Sequence, residues 1–533
     1  MTYLKTVMNK KKTPQSQPIP GSAMTANSAG GYTFAVDDWT RLARFLVLGS
    51  EGGSYYASER TLSLENADAV KRCIAADGPR VVREIVAVSE AGRAPKNDPA
   101  LFALAMCAAF GDEGTRRQAL AALPVVARIG THLFHFAEYV DGMRGWGRGL
   151  RQAVGNWYTG MPADKLAYQA VKYGQRDGWS HRDLLRLSHP KPETEQHFAL
   201  YHWLTQGWES VGEMPHPDAA LRLVWAAERA KTAQSAAQIA ALIREYRLPR
   251  EAVPTEWLKE PEVWEALLEE MPMTALIRNL ATLTRVGLLT PGSDAAQKVV
   301  AEVTDESRLR KARVHPIAVL SALKTYAQGH GERGGNTWTP VPAVVDALDA
   351  AFYASFGSIT PTGKRWLLAL DVSGSMASGQ IAGVPGLTPR IAGAAMALIT
   401  AGTEAQHRFM AFSTQFVPLA ISPRQRLDDV LKMTGSLPFS GTDCALPMVW
   451  ALKNRVAADV FVVYTDSETW AGSIQPVQAL RRYREQMGIP AKLIVCGMAS
   501  SQFTIADPND AGMLDVVGFS TATPAVMSDF AVA

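Results

Sequence analysis

The sequence predicts a multidomain protein: an all-α half of many packed helices, followed by an α/β half built on a doubly wound parallel sheet. Three observations carry this. From about residue 35 to 350 apolar residues recur at three- and four-residue steps, as in "RRQALAALPVVARIGTHLFHFAEYV". After Lys364 the rhythm changes to short apolar runs, "RWLLALD", "HRFMAFS", "VFVVYTD" and "AKLIVCG", separated by helical stretches such as "PRIAGAAMALITAG" and "PVQALRRYREQM". Finally, 533 residues exceed what one core usually organises.

The first 30 residues, rich in Pro, Ser, Gly and Lys, contain no apolar block of signal-peptide length and read as a disordered basic tail with no assigned role. Residues 31–360 form the helical domain, its helices parted by breakers such as "APKNDP", "GDEG", "LSHPKP" and "EMPHPD". The Gly-rich interruption "AQGHGERGGNTWTPVP" marks the boundary region, and a closing helix, "AVVDALDAAFYASF", follows it. Residues 361–533 form the α/β domain, whose near-continuous apolar strands imply a sheet covered by helices on both faces.

Composition narrows the function. Hydrophobic content of 47% and charged content of 20% are ordinary for a folded soluble protein, and a net charge of +3 decides nothing about partners. No apolar run of about 18 residues predicts a membrane span. Cys73, Cys107, Cys444 and Cys496 lie far apart without a CxxC pair, which fits a reducing cytoplasm.

The run "LLALDVSGSMASG" ends an apolar strand in Asp371, Ser373 and Ser375. A second loop, "FSGTDC", offers Thr442, and "VFVVYTD" ends at Asp466. Ligands in such sheets bind beyond the carboxyl ends of strands, where these three loops converge. Two carboxylates and three hydroxyls are hard oxygen donors, so a divalent cation, magnesium by their hardness, is expected there. The pattern resembles the metal-ion-dependent adhesion site (MIDAS) of von Willebrand factor A (vWA) domains; the plainer alternative is that Ser373 and Ser375 only cap the following turn. Aspartyl-phosphate, G-x-S-x-G and P-loop signatures are all incomplete, and no nucleophile is paired with a base, so an enzyme is not expected.

Residues 141–192 carry nine Lys/Arg against four Asp, with tryptophans and tyrosines between them. Arg148 and Arg151 would share one helix face, and Lys172 and Arg176 another. Such rows contact phosphates, and neighbouring aromatic rings stack on exposed bases, so the composition suggests an RNA surface; Arg186 lies in the same segment, and His189 adds latent charge or is an ordinary turn residue before Pro190. The alternative is a solvated face whose Trp146, Trp157, Tyr158 and Trp179 fill the core.

The motifs "VKYGQRDGWSHRDLLRLSHPKP", "HGERGG", "PTGKRWLLALDVSGSM", "GTDCALPMVWA" and "PAKLIVCGM" closely resemble the Ro ribonucleoprotein autoantigen family, from roughly residue 30 to the C-terminus. The resemblance implies a HEAT-like helical-repeat ring, the TROVE domain, closed by a vWA domain. It implies Y-like noncoding RNA bound on the outer surface, with single-stranded 3′ ends of misfolded noncoding RNA passing through the hole. The family's RNA-contacting lysine and histidine match Lys172 and His189. In bacterial members it further implies RNA quality control and decay with an exoribonuclease, polynucleotide phosphorylase. The reading is a cytoplasmic RNA-binding ribonucleoprotein scaffold; the alternative is a metal-dependent protein-binding module of adhesion type with no RNA role.

Overall fold

A computed structural model describes residues 12–51, 54, 57–211, 219–331, 335–356, 359–381, 384, 386–422, 425–437 and 440–533. Residues 1–11 of the expected tail, the breaker at 213–218, residues 332–334 of "HGERGG" and the first residue of "FSGTDC" lie outside them.

The expected disorder of residues 1–30 is wrong from residue 12 onward. Gln15 is fully buried: its Nε2 donates to Asp443 Oδ1 (2.7 Å) and to the Ile474 carbonyl (2.9 Å), and its Oε1 accepts from Thr469 Oγ1. Asn27 Nδ2 donates to the Thr469 carbonyl at 2.8 Å, and the Gln475 amide donates to the carbonyls of Pro14 and Gln17. Strands β1 (Thr25–Ala26) and β2 (Tyr32–Ala35) then pair antiparallel. Amide side chains and turn-forming residues, which score as disorder by composition, here supply the hydrogen-bond partners of a distant loop.

Helices run from Asp38–Leu48 to Pro342–Ala354. Asp37, Ser58, Asp112, Thr194, Ser235 and Ser293 each cap one by accepting a backbone N–H. The long helix Glu59–Glu90 bends where Asp77 leaves helical geometry (φ −157°, ψ 81°), two residues before Pro79. Midway, a two-stranded hairpin of β3 (Gln175–Arg176) and β4 (Trp179–Ser180) turns through Asp177 and Gly178, both with positive φ. The Gly-rich interruption turns the chain at Gly329 (φ 74°) and returns it, through Trp338 N–H bonding the Gly329 carbonyl, into the helix Pro342–Ala354, as expected.

The second half is a six-stranded sheet. Its strands are β5 (Trp366–Asp371), β6 (His407–Phe412), β7 (Phe416–Pro418), β8 (Val460–Thr465) and β9 (Lys492–Gly497). The short β10 (Phe503–Thr504) pairs instead with β2, and β11 (Met513–Val517) completes the order β11-β9-β8-β5-β6-β7. All neighbours are parallel except β6 and β7, so the sheet is mixed at one edge. Alternate residues of β5 serve opposite faces: Leu368 and Leu370 join the core that holds the helix Pro389–Thr403, whereas Leu367 and Ala369 face Met448 and Leu480. The first of these cores continues into the helical half.

Both ends of the helical half land on the sheet domain. Arg44, 1% exposed, donates to both carboxylate oxygens of Asp515 on β11 at 2.7 Å and to the carbonyls of Ser501 and Phe503. At the other end Lys324 Nζ donates to the Gly386 carbonyl (2.6 Å), and Leu427 N–H to Asp349 Oδ1 (3.0 Å). The early and late parts of the helical half also touch, His315 Nε2 donating to the Arg93 carbonyl (3.0 Å), and Arg93 Nε reaches Ser520 Oγ of the sheet domain (3.1 Å). The helical half and the α/β domain therefore form a closed circuit.

Candidate functional sites

Asp371 ends the inner strand β5, which lies between β6 and β8 where the strand order reverses. It is 1% exposed; Oδ1 accepts from Ser373 N–H (2.9 Å) and Oδ2 from Thr465 Oγ1 (2.6 Å). Ser373 and Ser375 are buried with their hydroxyls 3.2 Å apart, and Thr442 and Asp466 are buried as well. Burial and mutual repulsion raise Asp371 above the usual carboxylate range, and burial raises Asp466. Glu468, whose Oε2 accepts from Ala29 N–H, is pushed up to about 7 by burial and by Asp466.

Two carboxylates held apart from water fit a divalent ion, which would lower both; the charge of Arg390, which donates to the carbonyls of Val372 and Ser373, is felt at Asp371 as well. Among the described residues no group of three or more His, Cys, Asp or Glu stands ready to hold a metal, so an ion here would rest on two carboxylates and hydroxyls. The Ser373 and Ser375 hydroxyls face each other across this site, and Ser375 begins only a single 3₁₀ turn, Ser375–Ala377.

The basic segment is less uniform than its composition. Arg148 and Arg151 are exposed on the first turns of the helix Arg148–Thr159. The expectation that Lys172 and Arg176 share a helix face is corrected: the helix Ala163–Lys172 ends at Lys172, and Arg176 lies on β3, exposed, beside Asp177 at 3.6 Å. Tyr173 leaves helical geometry, and the Asp-Gly turn then imposes a hairpin, a signal present in the sequence. Arg186 and His189 are exposed at the end of the helix His181–Ser188, where His189 takes the left-handed conformation (φ 46°) before Pro190. A side chain added at Gly155 would meet Pro190 at 3.8 Å, which seats His189 beside the helix that carries Arg151 one turn earlier.

Trp157 and Tyr158 are core residues, whereas Trp146 and Trp179 are half-buried against each other, rings 5.4 Å apart. Lys172 is half-buried; its Nζ donates to Tyr168 OH (3.1 Å) and lies over the rings of Tyr168 and Tyr173. Burial opposes its charge, but the Tyr168 hydroxyl and nearby Glu251 outweigh this and raise it.

Two cationic features escaped the sequence reading. Arg244, Arg247 and Arg250 share with Lys172 a cavity of about 260 Å³, with Arg244 paired to Glu269 and Arg247 to Glu270. A second cavity, of about 450 Å³, is lined by Lys96, Arg128, Arg278 and Arg313 with no carboxylate among the described lining residues. Each gathers residues far apart in sequence, so no local pattern could announce it.

The TROVE-domain family profile matches residues 25–325, and that of the Ro60 vWA domain matches residues 365–531. The chain belongs to the Ro family. It is 46% identical over 533 residues to RNA-binding protein RO60 of Deinococcus radiodurans, covering 100% of this chain and 99% of that one. It is 37% identical to RNA-binding protein RO60 of Caenorhabditis elegans, covering 98% and 92%. The crystal structure of Deinococcus radiodurans RO (RSR) protein resembles it with a TM-score of 0.71 and 47% identity, over 93% of this chain and 99% of that one. The Ro fold thus accounts for both halves: the helical TROVE region and the vWA sheet domain. Among the described residues no helix is long and apolar enough to cross a membrane.

Proposed function

We propose that this Ro-family chain is a non-enzymatic scaffold that binds Y-like small noncoding RNA and the single-stranded 3′ ends of misfolded noncoding RNAs, in cytoplasmic RNA quality control and decay. The observation that carries it is the exposure of Arg148, Arg151, Arg176, Arg186 and His189, with Lys172 half-buried, on a chain so similar to proteins named RNA-binding. Exposed arginines and a lysine set against tyrosine rings suit RNA phosphates and unstacked bases. The carboxylate-free cavity at Lys96, Arg128, Arg278 and Arg313 is the place we assign to a single-stranded end. A 3′ exoribonuclease such as polynucleotide phosphorylase would act on the RNA so presented.

Crosslinking RNA to the protein in its native cells, beside a Lys172→Ala/His189→Ala version, tests this. A small structured RNA and transcripts with frayed 3′ ends should be recovered, and lost in the variant; no RNA above background would overturn the reading.

In the same reading Asp371, Ser373, Ser375, Thr442 and Asp466 hold magnesium, whose charge would stabilise the two buried carboxylates and orient an acidic ligand. Magnesium should raise the melting temperature of the protein and leave Asp371→Ala unmoved; an equal rise in both would remove the site.

A further inference from the structure

Two of the five residues of the candidate cation site, Ser375 and Asp466, border the helical half. A cavity of about 30 Å³ is lined on one side by Ser375 and Asp466, and on the other by Gly49, Ser50 and Glu51, which follow the helix Asp38–Leu48. Among its described lining residues, Glu51 is the one carboxylate besides Asp466. The backbone leading to it is pinned against the sheet domain. Asn66, 1% exposed, donates Nδ2 to Ser50 Oγ (3.0 Å) and to Ser500 Oγ (3.3 Å), and Ser500 Oγ donates to the Gly49 carbonyl (2.8 Å). The Glu51 carboxylate is paired with Lys96, both side chains being more than a third exposed.

We propose that a divalent cation held by Asp371, Ser373, Ser375, Thr442 and Asp466 takes the Glu51 carboxylate as a further ligand, so that the ion clasps the vWA domain to the helical half. This rests on the reading of those five residues as a cation site. Two carboxylates leave a bound divalent ion open to another acidic oxygen. A carboxylate tethered one residue from a fixed backbone presents a far higher effective concentration than any free partner. An exposed ion pair such as Glu51–Lys96 is weak, so it yields readily to a divalent charge. The exchange also releases Lys96 toward the cationic cavity it helps to line.

Titrating magnesium or manganese into the full-length protein by calorimetry tests the clasp. Glu51→Gln should weaken binding at least tenfold while leaving metal-free melting unchanged, and Lys96→Ala should tighten binding several-fold by freeing Glu51. Acetate should restore affinity to Glu51→Ala, and the ion should slow amide exchange at residues 47–51 in the wild type alone. Equal affinity in the wild type and Glu51→Gln overturns the clasp and leaves the five-residue site standing. Weaker binding by Lys96→Ala overturns it too, because the effect of Glu51 would then be structural. Failure of the wild type to bind either ion removes the underlying site itself.

Discussion

Lys172 sits between two tyrosine rings, so its ammonium is aimed by packing as well as by charge. Removing one such phosphate contact should weaken RNA binding across sequences and lower the slope of log affinity against log salt by about 1. A filter-binding titration of Lys172→Ala at several salt concentrations reads this directly; an unchanged slope would mean that Lys172 touches no phosphate. His315 acts through its neutrality. Its Nδ1 accepts from Ile317 N–H and its Nε2 donates to Arg93, and burial lowers it to about 4. The unfolded chain takes up a proton near pH 6.5 that the folded site refuses. The stability this histidine contributes is therefore complete above 6.5 and lost as pH falls toward 4, on the order of 1–3 kcal/mol. Buried His181, also lowered to about 4, works in the same direction. Melting curves from pH 7 to 5 should fall more steeply for the wild type than for His315→Asn, which keeps the helix cap.

At the scale of elements, legibility tracked burial. The four inner strands were readable because parallel strands covered on both faces are continuous apolar runs. Strand β11 was not, because Asp515 interrupts "MLDVV" and its partner Arg44 lies far back in the chain. Of the candidate sites, the Asp371 group was legible as a motif bound to strand ends, whereas Lys172 and Arg176 were misjudged by extending a helix through a hairpin. The N-terminal strap was invisible for a further reason: its order comes from side-chain amides whose partners, Asp443 and Thr469, lie far away. Gln15→Ala removes the buried hydrogen bonds that Gln15 makes with Asp443, Ile474 and Thr469 and should destabilise the protein by about 1–3 kcal/mol. Denaturant titration measures this, and a loss near zero would show that the strap only rests on the loop. Because Thr469 Oγ1 also donates to the Thr442 carbonyl, the variant should weaken cation binding as well.

Across the whole molecule, the circuit depends on Arg44. Its guanidinium is buried against Asp515 and two carbonyls, and removing one partner of such a pair costs about 3–5 kcal/mol. Arg44→Ala should therefore split calorimetric unfolding into separate transitions for the helical half and the sheet domain; one cooperative transition at the wild-type temperature would contradict this.

That seam also has a history in time. Gln15, Arg41 and Arg44 find their partners 428 to 471 residues later in the chain. At the roughly 5–20 residues per second of synthesis, the N-terminal segment leaves the ribosome on the order of 25–90 s before those partners exist. For that interval β2 has no β10 to pair with, and a hydrogen-bonding edge stands open. The nascent helical half therefore carries an open edge until residues 503–515 emerge, and a chain truncated before them would leave that seam unsealed.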